Sequence, residues 1–170
     1  MNRKLTEVIQ AAVEIDAGDP KHIQHFLKVQ SFADYISSRE NLPAETSFLL
    51  EVSAILHDIG IHACEEKYHS TAGHYQEIEG PPIARQILDD IGGFTEAQIE
   101  RVLFLIGHHH TYDSKQIDGL DYQILIEADF LVNLYEDHAP ESAVMSARDK
   151  IFKTNTGLSL IEQMFLSKSR

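Results

Sequence analysis

Histidine and aspartate side chains occur where the surrounding apolar pattern would bury them. The segment AILHDIGIH, residues 54–62, carries an apolar run directly into the neighbouring imidazole and carboxylate of His57 and Asp58. Burial of a polar group without a hydrogen-bond partner costs about 2–7 kcal/mol, and burial of an unpaired charge costs more. The doublet therefore either marks the polar end of a helix or meets partners from elsewhere in the chain.

His25 and Lys28 share one face of a helix that is predicted to begin at Pro20, because proline favours the first helical position. His25 precedes Val29 by four residues, about one helical turn, so its ring joins the apolar stripe that Val29 begins. Lys28 lies at the edge of the same face. His22, one turn before His25, has an ambiguous position relative to the stripe.

Asp129 lies in the middle of the apolar face of a later helix, predicted over residues 121–137. It follows Leu125 by four residues and precedes Val132 by three, which is the spacing of neighbours on one helical face. Asn133 lies one turn beyond it. A carboxylate in this position requires a cation or several hydrogen-bond donors.

Two histidines end another predicted helix. His109 continues the apolar stripe three residues after Ile106, and His108 lies four residues after Phe104. A single inward-facing polar residue is most often a satisfied core group, but here four helices direct such residues to one interior. A metal ion is a common way to satisfy several imidazoles and carboxylates together. The tract 108–110 also leaves open a plain metal-binding helical protein that captures ions there.

The apolar periodicity is helical nearly throughout and predicts an all-α, single-domain helical bundle. The domain is expected to cover residues 1–170, with a core at about 19–137 and C-terminal helices in 138–170. The first helix contains Leu5 and Val13. Further helices are predicted over residues 20–40, 44–59, 81–91, 96–109 and 121–137, followed by one or two short ones.

Residues 60–80 show little apolar periodicity and are predicted to form a long loop, and Pro81-Pro82 to open the helix after it. Loops of this length are often functional, so this one is expected to lie over the site. It carries His74. Exposure to solvent is expected for His62, His69, His110 and His138.

The composition restricts the partners of the protein. Its 170 residues include 27 acidic and 14 basic residues, a net charge of -13, which disfavours nucleic acid polymers and anionic membranes. The single cysteine excludes an internal disulfide. Because neither a signal peptide nor a run of about 20 apolar residues is evident, the protein is expected to be cytoplasmic. An oligomer remains open.

These residues together resemble the HD-domain metal-dependent phosphohydrolases, an all-α family named for a His-Asp doublet. The family pattern is a histidine followed three residues later by arginine or lysine, then the doublet, then a distant aspartate. His25 and Lys28 in HFLKV, His57 and Asp58 in HDIG, and Asp129 in EADFLVNL match that pattern in order. The ordered set is much more specific than the doublet alone.

The resemblance implies one firmly held divalent ion, bound by His25, His57, Asp58 and Asp129. Such a nitrogen and oxygen ligand set suits Mn, Fe, Co, Ni or Zn and does not choose among them. Members with two metals add histidines, one of them four residues before a glycine; Gln76 has that place here, before Gly80. This departure leaves His74, His108 and His109 as candidates for a second metal or for substrate.

The resemblance also implies hydrolysis of a small phosphorylated substrate, such as a nucleotide or a related phosphomonoester or diester. Asp58 is expected to act in catalysis as ligand and base. Lys28 is expected to neutralise phosphate charge, and Asn133 to contact the substrate. The alternative is a ligand-sensing or regulatory domain that binds metal and nucleotide without efficient turnover.

Overall fold

The structure of the protein, a computed structural model, describes residues 3–167. Within this range it contains nine α-helices, a short π-helix and no strand, which confirms the predicted all-α class. The helices are α1 Arg3–Ile15, α2 Pro20–Arg39, α3 Ala44–Leu56, α4 Ile61–Tyr68, α5 Gly73–Ile91, α6 Glu96–Ile106, α7 Leu120–Glu136, α8 Glu141–Lys150 and α9 Asn155–Ile161, followed by the π-helix Glu162–Leu166.

Two apolar clusters fill the interior on either side of α2 and α3. One cluster joins α2 to α7 and to the C-terminal helices, and the other joins α1, α3, α5 and α6. Helix α2 packs along both α3 and α7, so these three helices form the centre of the bundle. Polar residues on their facing sides are consequently brought together in the interior.

The stretch Ala44–Tyr68 is long and apolar enough to cross a membrane by length and composition alone. Most of its apolar part is buried inside the protein, which is typical of a core helix.

Local signals place the ends of several helices as predicted. Asp19 caps α2, since its carboxylate accepts a hydrogen bond of 3.0 Å from the backbone N–H of His22. Thr95 and Gln98 form a reciprocal capping box at the start of α6. Gly92 ends α5. The predicted bounds of α2 and α7 are confirmed to within one residue.

The predicted loop over residues 60–80 is wrong, because α4 and the first half of α5 occupy most of it. Helix α5 begins at Gly73, so the two prolines lie inside it and do not open it. Proline lacks the backbone N–H that a helix interior uses, so this part of α5 depends on its tertiary contacts. A Cβ on Gly60 would lie 2.7 Å from the backbone nitrogen of Gly80, so the two backbones are in direct contact. The Glu77 carboxylate accepts a 3.0 Å hydrogen bond from the backbone of His110.

Helix α6 ends at Ile106, three residues earlier than predicted. The backbone N–H of Gly107 closes the helix on the carbonyls of the preceding turn, and residues 107–110 form a separate turn. His108 and His109 therefore do not lie on the apolar face of α6, where the periodicity predicted them.

Candidate metal centre

Four side chains from three helices converge beneath a surface pocket. His25 comes from the middle of α2, His57 and Asp58 from the end of α3, and Asp129 from α7. The Oδ1 atom of Asp129 lies 3.3 Å from His25 Nε2 and 3.5 Å from His57 Nε2. The Oδ2 atom of Asp58 lies 3.6 Å and 3.4 Å from the same two nitrogens. The structure thus brings together the four predicted ligands.

Hydrogen bonds at the far side of each ring orient its inner nitrogen. His57 Nδ1 donates to the backbone carbonyl of Ala54 at 2.8 Å, and His25 Nδ1 donates to Glu136 at 3.0 Å. In a neutral imidazole the other nitrogen then presents a lone pair. The two Nε2 atoms nevertheless face each other at 3.3 Å.

When both rings are neutral, four acceptor atoms share one space, and a cation between them would offset their mutual repulsion. Two imidazole nitrogens and two carboxylate oxygens are a donor set that fits a divalent transition metal ion. The residues present therefore fit the ion that the sequence predicts.

The electrostatics of the metal-free side chains support this conclusion. Burial lowers the pKa of His57, but the carboxylates of Asp58 and Asp129 outweigh it and raise that pKa well above its ordinary value. Burial likewise raises the pKa of Asp58, but His57 and His109 outweigh it and hold that pKa well below its usual range. The pKa shifts thus favour ionised carboxylates and a positive charge beside them.

Two polar residues on α7 form hydrogen bonds with the predicted ligands. Asn133 donates a 2.8 Å hydrogen bond to Asp129, one turn away. Glu136 accepts from both His25 and Lys28, whose Nζ lies 2.5 Å from the carboxylate. Lys28 is therefore paired with an acid at the edge of the centre, with 39% of its side chain exposed.

A second group of possible metal ligands, His109 and His110, lies near Asp58 Oδ1. His109 Nδ1 donates to the Ile106 carbonyl at 2.7 Å, and its Nε2 lies 3.2 Å from Asp58 Oδ1. Ligand atoms of Asp58, His109 and His110 lie within 4.8 Å of one another. His110 was expected in solvent, but it is partly buried, and burial together with neighbouring His109 lowers its pKa to about 4.

Other predicted residues lie apart from these groups. The His74 ring contacts the Tyr75 ring at a tilt of 43°. His108 stacks on Phe104, and its Nδ1 donates to the Phe104 carbonyl. Among residues 3–167, neither belongs to a set of three His, Cys, Asp or Glu side chains whose ligand atoms lie within 4.8 Å of one another. Gln76 is buried, and its amide nitrogen donates to the Thr71 carbonyl at 2.7 Å.

Periodicity did not reveal the residue that organises the histidine turn. Tyr122 is fully buried, and its hydroxyl lies 2.6 Å from the carbonyl of His108 and 2.7 Å from that of Thr111. These contacts connect the turn to α7. A tyrosine at the start of a helix carries no signal of this role in the sequence.

The centre opens into a cavity of about 300 Å³. His25 and Asp58 line it, together with Asn133 and Glu136 of α7. Such a volume is in the lower range of small-molecule pockets. Residues at the start of α2 and on α4 also line the cavity.

The fold and the centre together define a class: an all-helical bundle with a buried cluster of histidines and aspartates that could hold a metal ion. The family described as HD domain matches residues 23–153, and the chain belongs to that family. The crystal structure of a predicted HD superfamily hydrolase from an uncultured Thermotogales bacterium is similar, with a TM-score of 0.68 and 25% identity over 95% of this chain and 84% of that one. Among curated proteins, no match was found.

Proposed function

We propose that the protein is a metal-dependent phosphohydrolase that cleaves a small phosphate ester, such as a nucleotide or a related phosphomonoester or diester. The observation that carries this proposal is the convergence of His25, His57, Asp58 and Asp129 beside an open cavity, which His25 and Asp58 line. The membership in the HD domain family supports it.

The charge of the cavity supports a role for a cation in substrate binding. Its walls carry several acids, including Asp19, Glu65, Glu136 and Asp137, while Lys21 contributes a basic side chain at its mouth. An anionic phosphate would be repelled by these carboxylates. His25, His57, Asp58 and Asp129 would hold a divalent ion, which would supply the compensating charge, polarise a phosphoryl oxygen and lower the pKa of a water molecule toward ~7.

The side chains of the chain have separate tasks in this proposal. Asp58 is 14% exposed toward the cavity and ionised, so it can accept a proton from the attacking water. Asn133 holds Asp129 in place through its 2.8 Å hydrogen bond and also lines the cavity. Lys28 contributes positive charge at the edge, moderated by its pairing with Glu136.

The experiment is a reconstitution assay. The protein is stripped with a chelator, reloaded separately with Mn²⁺, Co²⁺, Ni²⁺, Fe²⁺ or Zn²⁺, and assayed with bis(p-nitrophenyl) phosphate and a panel of nucleotides. We expect hydrolysis only after reloading. In Asp129→Ala we expect no activity and one equivalent of metal less than in wild type, with helicity retained by circular dichroism. His69→Asn, at an exposed left-handed position that asparagine tolerates, is the matched control.

Two outcomes would contradict the proposal. Metal content equal to wild type in Asp129→Ala would remove the four residues as ligands. Tight nucleotide binding by the reloaded protein without any turnover would favour the ligand-sensing alternative.

A further inference from the structure

Asp16, His22 and His62 form a separate group beside the cavity, which His22 and His62 line. They come from the turn after α1, the first turn of α2 and the first turn of α4. The two carboxylate oxygens of Asp16 lie 2.9 Å from His22 Nδ1 and 3.2 Å from His62 Nε2. One ligand atom from each residue lies within 4.8 Å of the others.

The polar side-chain atoms of Asp16 and His22 are buried and lack hydrogen bonds. Asp16 is 1% exposed, and neither of its carboxylate oxygens has a hydrogen-bond partner in the described part of the protein. Both ring nitrogens of His22 are likewise buried without a partner. A buried carboxylate without hydrogen bonds raises the free energy of the folded protein unless another charge compensates it.

The simplest alternative is an ion pair between Asp16 and protonated histidines. In such a pair each ring N–H would point at a carboxylate oxygen. The Asp16 oxygens lie close to nitrogens of His22 and His62 but form no hydrogen bond with them. Neighbouring ligands of one ion behave differently, because their lone pairs point at the ion and not at each other. With tetrahedral geometry and metal–ligand distances of about 2.0–2.2 Å, adjacent donors lie roughly 3.3–3.6 Å apart.

The charge around the group favours a cation over a phosphate. Asp19 lies 3.8 Å from His62 Nε2, and Glu65 lies 3.5 Å from His62 Nδ1, so two further acids surround the ring. The group is next to the main centre, since His22 Nε2 lies 4.0 Å from Asp58 Oδ2, but it shares no residue with the four ligands there.

We propose that Asp16, His22 and His62 bind a second divalent cation of the zinc, cobalt or nickel class. One carboxylate and two imidazoles are the protein ligands that an open zinc-type site uses, with the remaining position left for solvent or a ligand. His22 and His62 both line the cavity, so that position faces the substrate space. The inference does not rest on the proposed hydrolase activity.

Cobalt content and spectra test this site directly. Chelator-stripped protein is reloaded with Co²⁺, and its bound equivalents are measured by elemental analysis. We expect His62→Gln to hold one equivalent less than wild type and than the His69→Asn control. Asp16→Asn should show the same loss; because the His62 side chain is 40% exposed, His62→Gln remains informative if Asp16→Asn does not fold.

A second comparison separates this site from the main centre. Asp129→Ala should retain cobalt with the intense visible absorption of low-coordinate Co²⁺, and adding His62→Gln should abolish that absorption. Equal cobalt content in wild type and His62→Gln would overturn the inference. Loss of one equivalent in His62→Gln would sustain it even if wild type hydrolyses none of the phosphate esters, so the two proposals fail independently.

Discussion

His25 and Glu136, 111 residues apart in the chain, are joined by a 3.0 Å hydrogen bond from the ring Nδ1 to the carboxylate. Burial raises the pKa of Glu136, but hydrogen bonds from Lys28 and His25 outweigh it and hold that pKa below its ordinary value. An ionised carboxylate behind a metal-binding histidine fixes the tautomer and raises the basicity of the ring. Glu136 therefore determines which His25 nitrogen faces the centre.

We expect Glu136→Gln to weaken metal binding about 10–100-fold, because an amide is a poorer acceptor for the ring N–H. The measurement is competition with a chromophoric chelator at fixed pH. Glu141→Gln, which replaces an exposed glutamate at the start of α8, is the control and should bind as wild type does. Unchanged affinity in Glu136→Gln would show that the hydrogen bond does not orient the ligand.

Metal binding should depend on pH through His25 and His57. Burial lowers the pKa of His25, but Asp129 and Asp58 outweigh it, so both rings have raised pKa values in the metal-free protein. Their protonation stabilises that protein fully below about pH 6.5, and this contribution is lost as pH rises through the folded-state pKa values. Because an ion requires neutral rings, metal affinity should rise over the same window.

Calorimetry in two buffers of different ionisation enthalpy counts the protons that metal binding displaces. We expect proton release at pH 6.5 and less release at about pH 9, with thermal denaturation showing the metal-free protein less stable at the higher value. An affinity that stays constant between these pH values would contradict the raised pKa values.

Tyr122→Phe should destabilise the protein by about 1–3 kcal/mol, since it removes the donor that two buried carbonyls share. Urea denaturation measures the change. Tyr35→Phe, at a tyrosine that is 50% exposed, is the control and should change the free energy of unfolding little. Equal stability of the two variants would mean that the turn after α6 keeps its conformation without Tyr122.

Lys28→Met should raise the KM for a phosphate ester several-fold while metal content stays as in wild type. The reason is that the substitution removes positive charge beside the centre and leaves Glu136 unneutralised on that side. Lys67→Met disrupts a comparable lysine–glutamate pair away from the cavity, with Glu79 at 2.7 Å, and should leave KM unchanged. Identical KM values for both variants would remove Lys28 from substrate binding.

Helical periodicity was sufficient to predict part of the centre. His25 and Asp129 lie within long, regular apolar stripes, and such stripes report burial whatever the fold. The same periodicity predicted α2 and α7 to within one residue. The doublet at the end of α3 was evident because an apolar run precedes it directly.

Other parts depend on contacts that no local pattern records. Helices α4 and α5 bury few apolar side chains along residues 61–80, so their periodicity is weak, and the close approach of Gly60 and Gly80 stabilises them instead. Asp16 occurs at a helix end, where an acid normally faces water, and only the packing of α4 against the start of α2 makes it a buried neighbour of His62. His110 is partly buried in the turn that follows the early end of α6.

Because of the contact between Gly60 and Gly80, both glycines should be as strongly conserved as the metal ligands. An alanine at Gly60 would meet the backbone nitrogen of Gly80 at 2.7 Å and force α5 away from the end of α3, where the doublet lies. An alanine at Gly80 would meet the Ile106 side chain at 2.9 Å. Lineages that keep the centre should therefore keep both glycines, while residues at the rim of the cavity drift freely. Cavity residues outside the centre, such as Lys21 and Glu65, can then be replaced without any change to the backbone that carries the doublet.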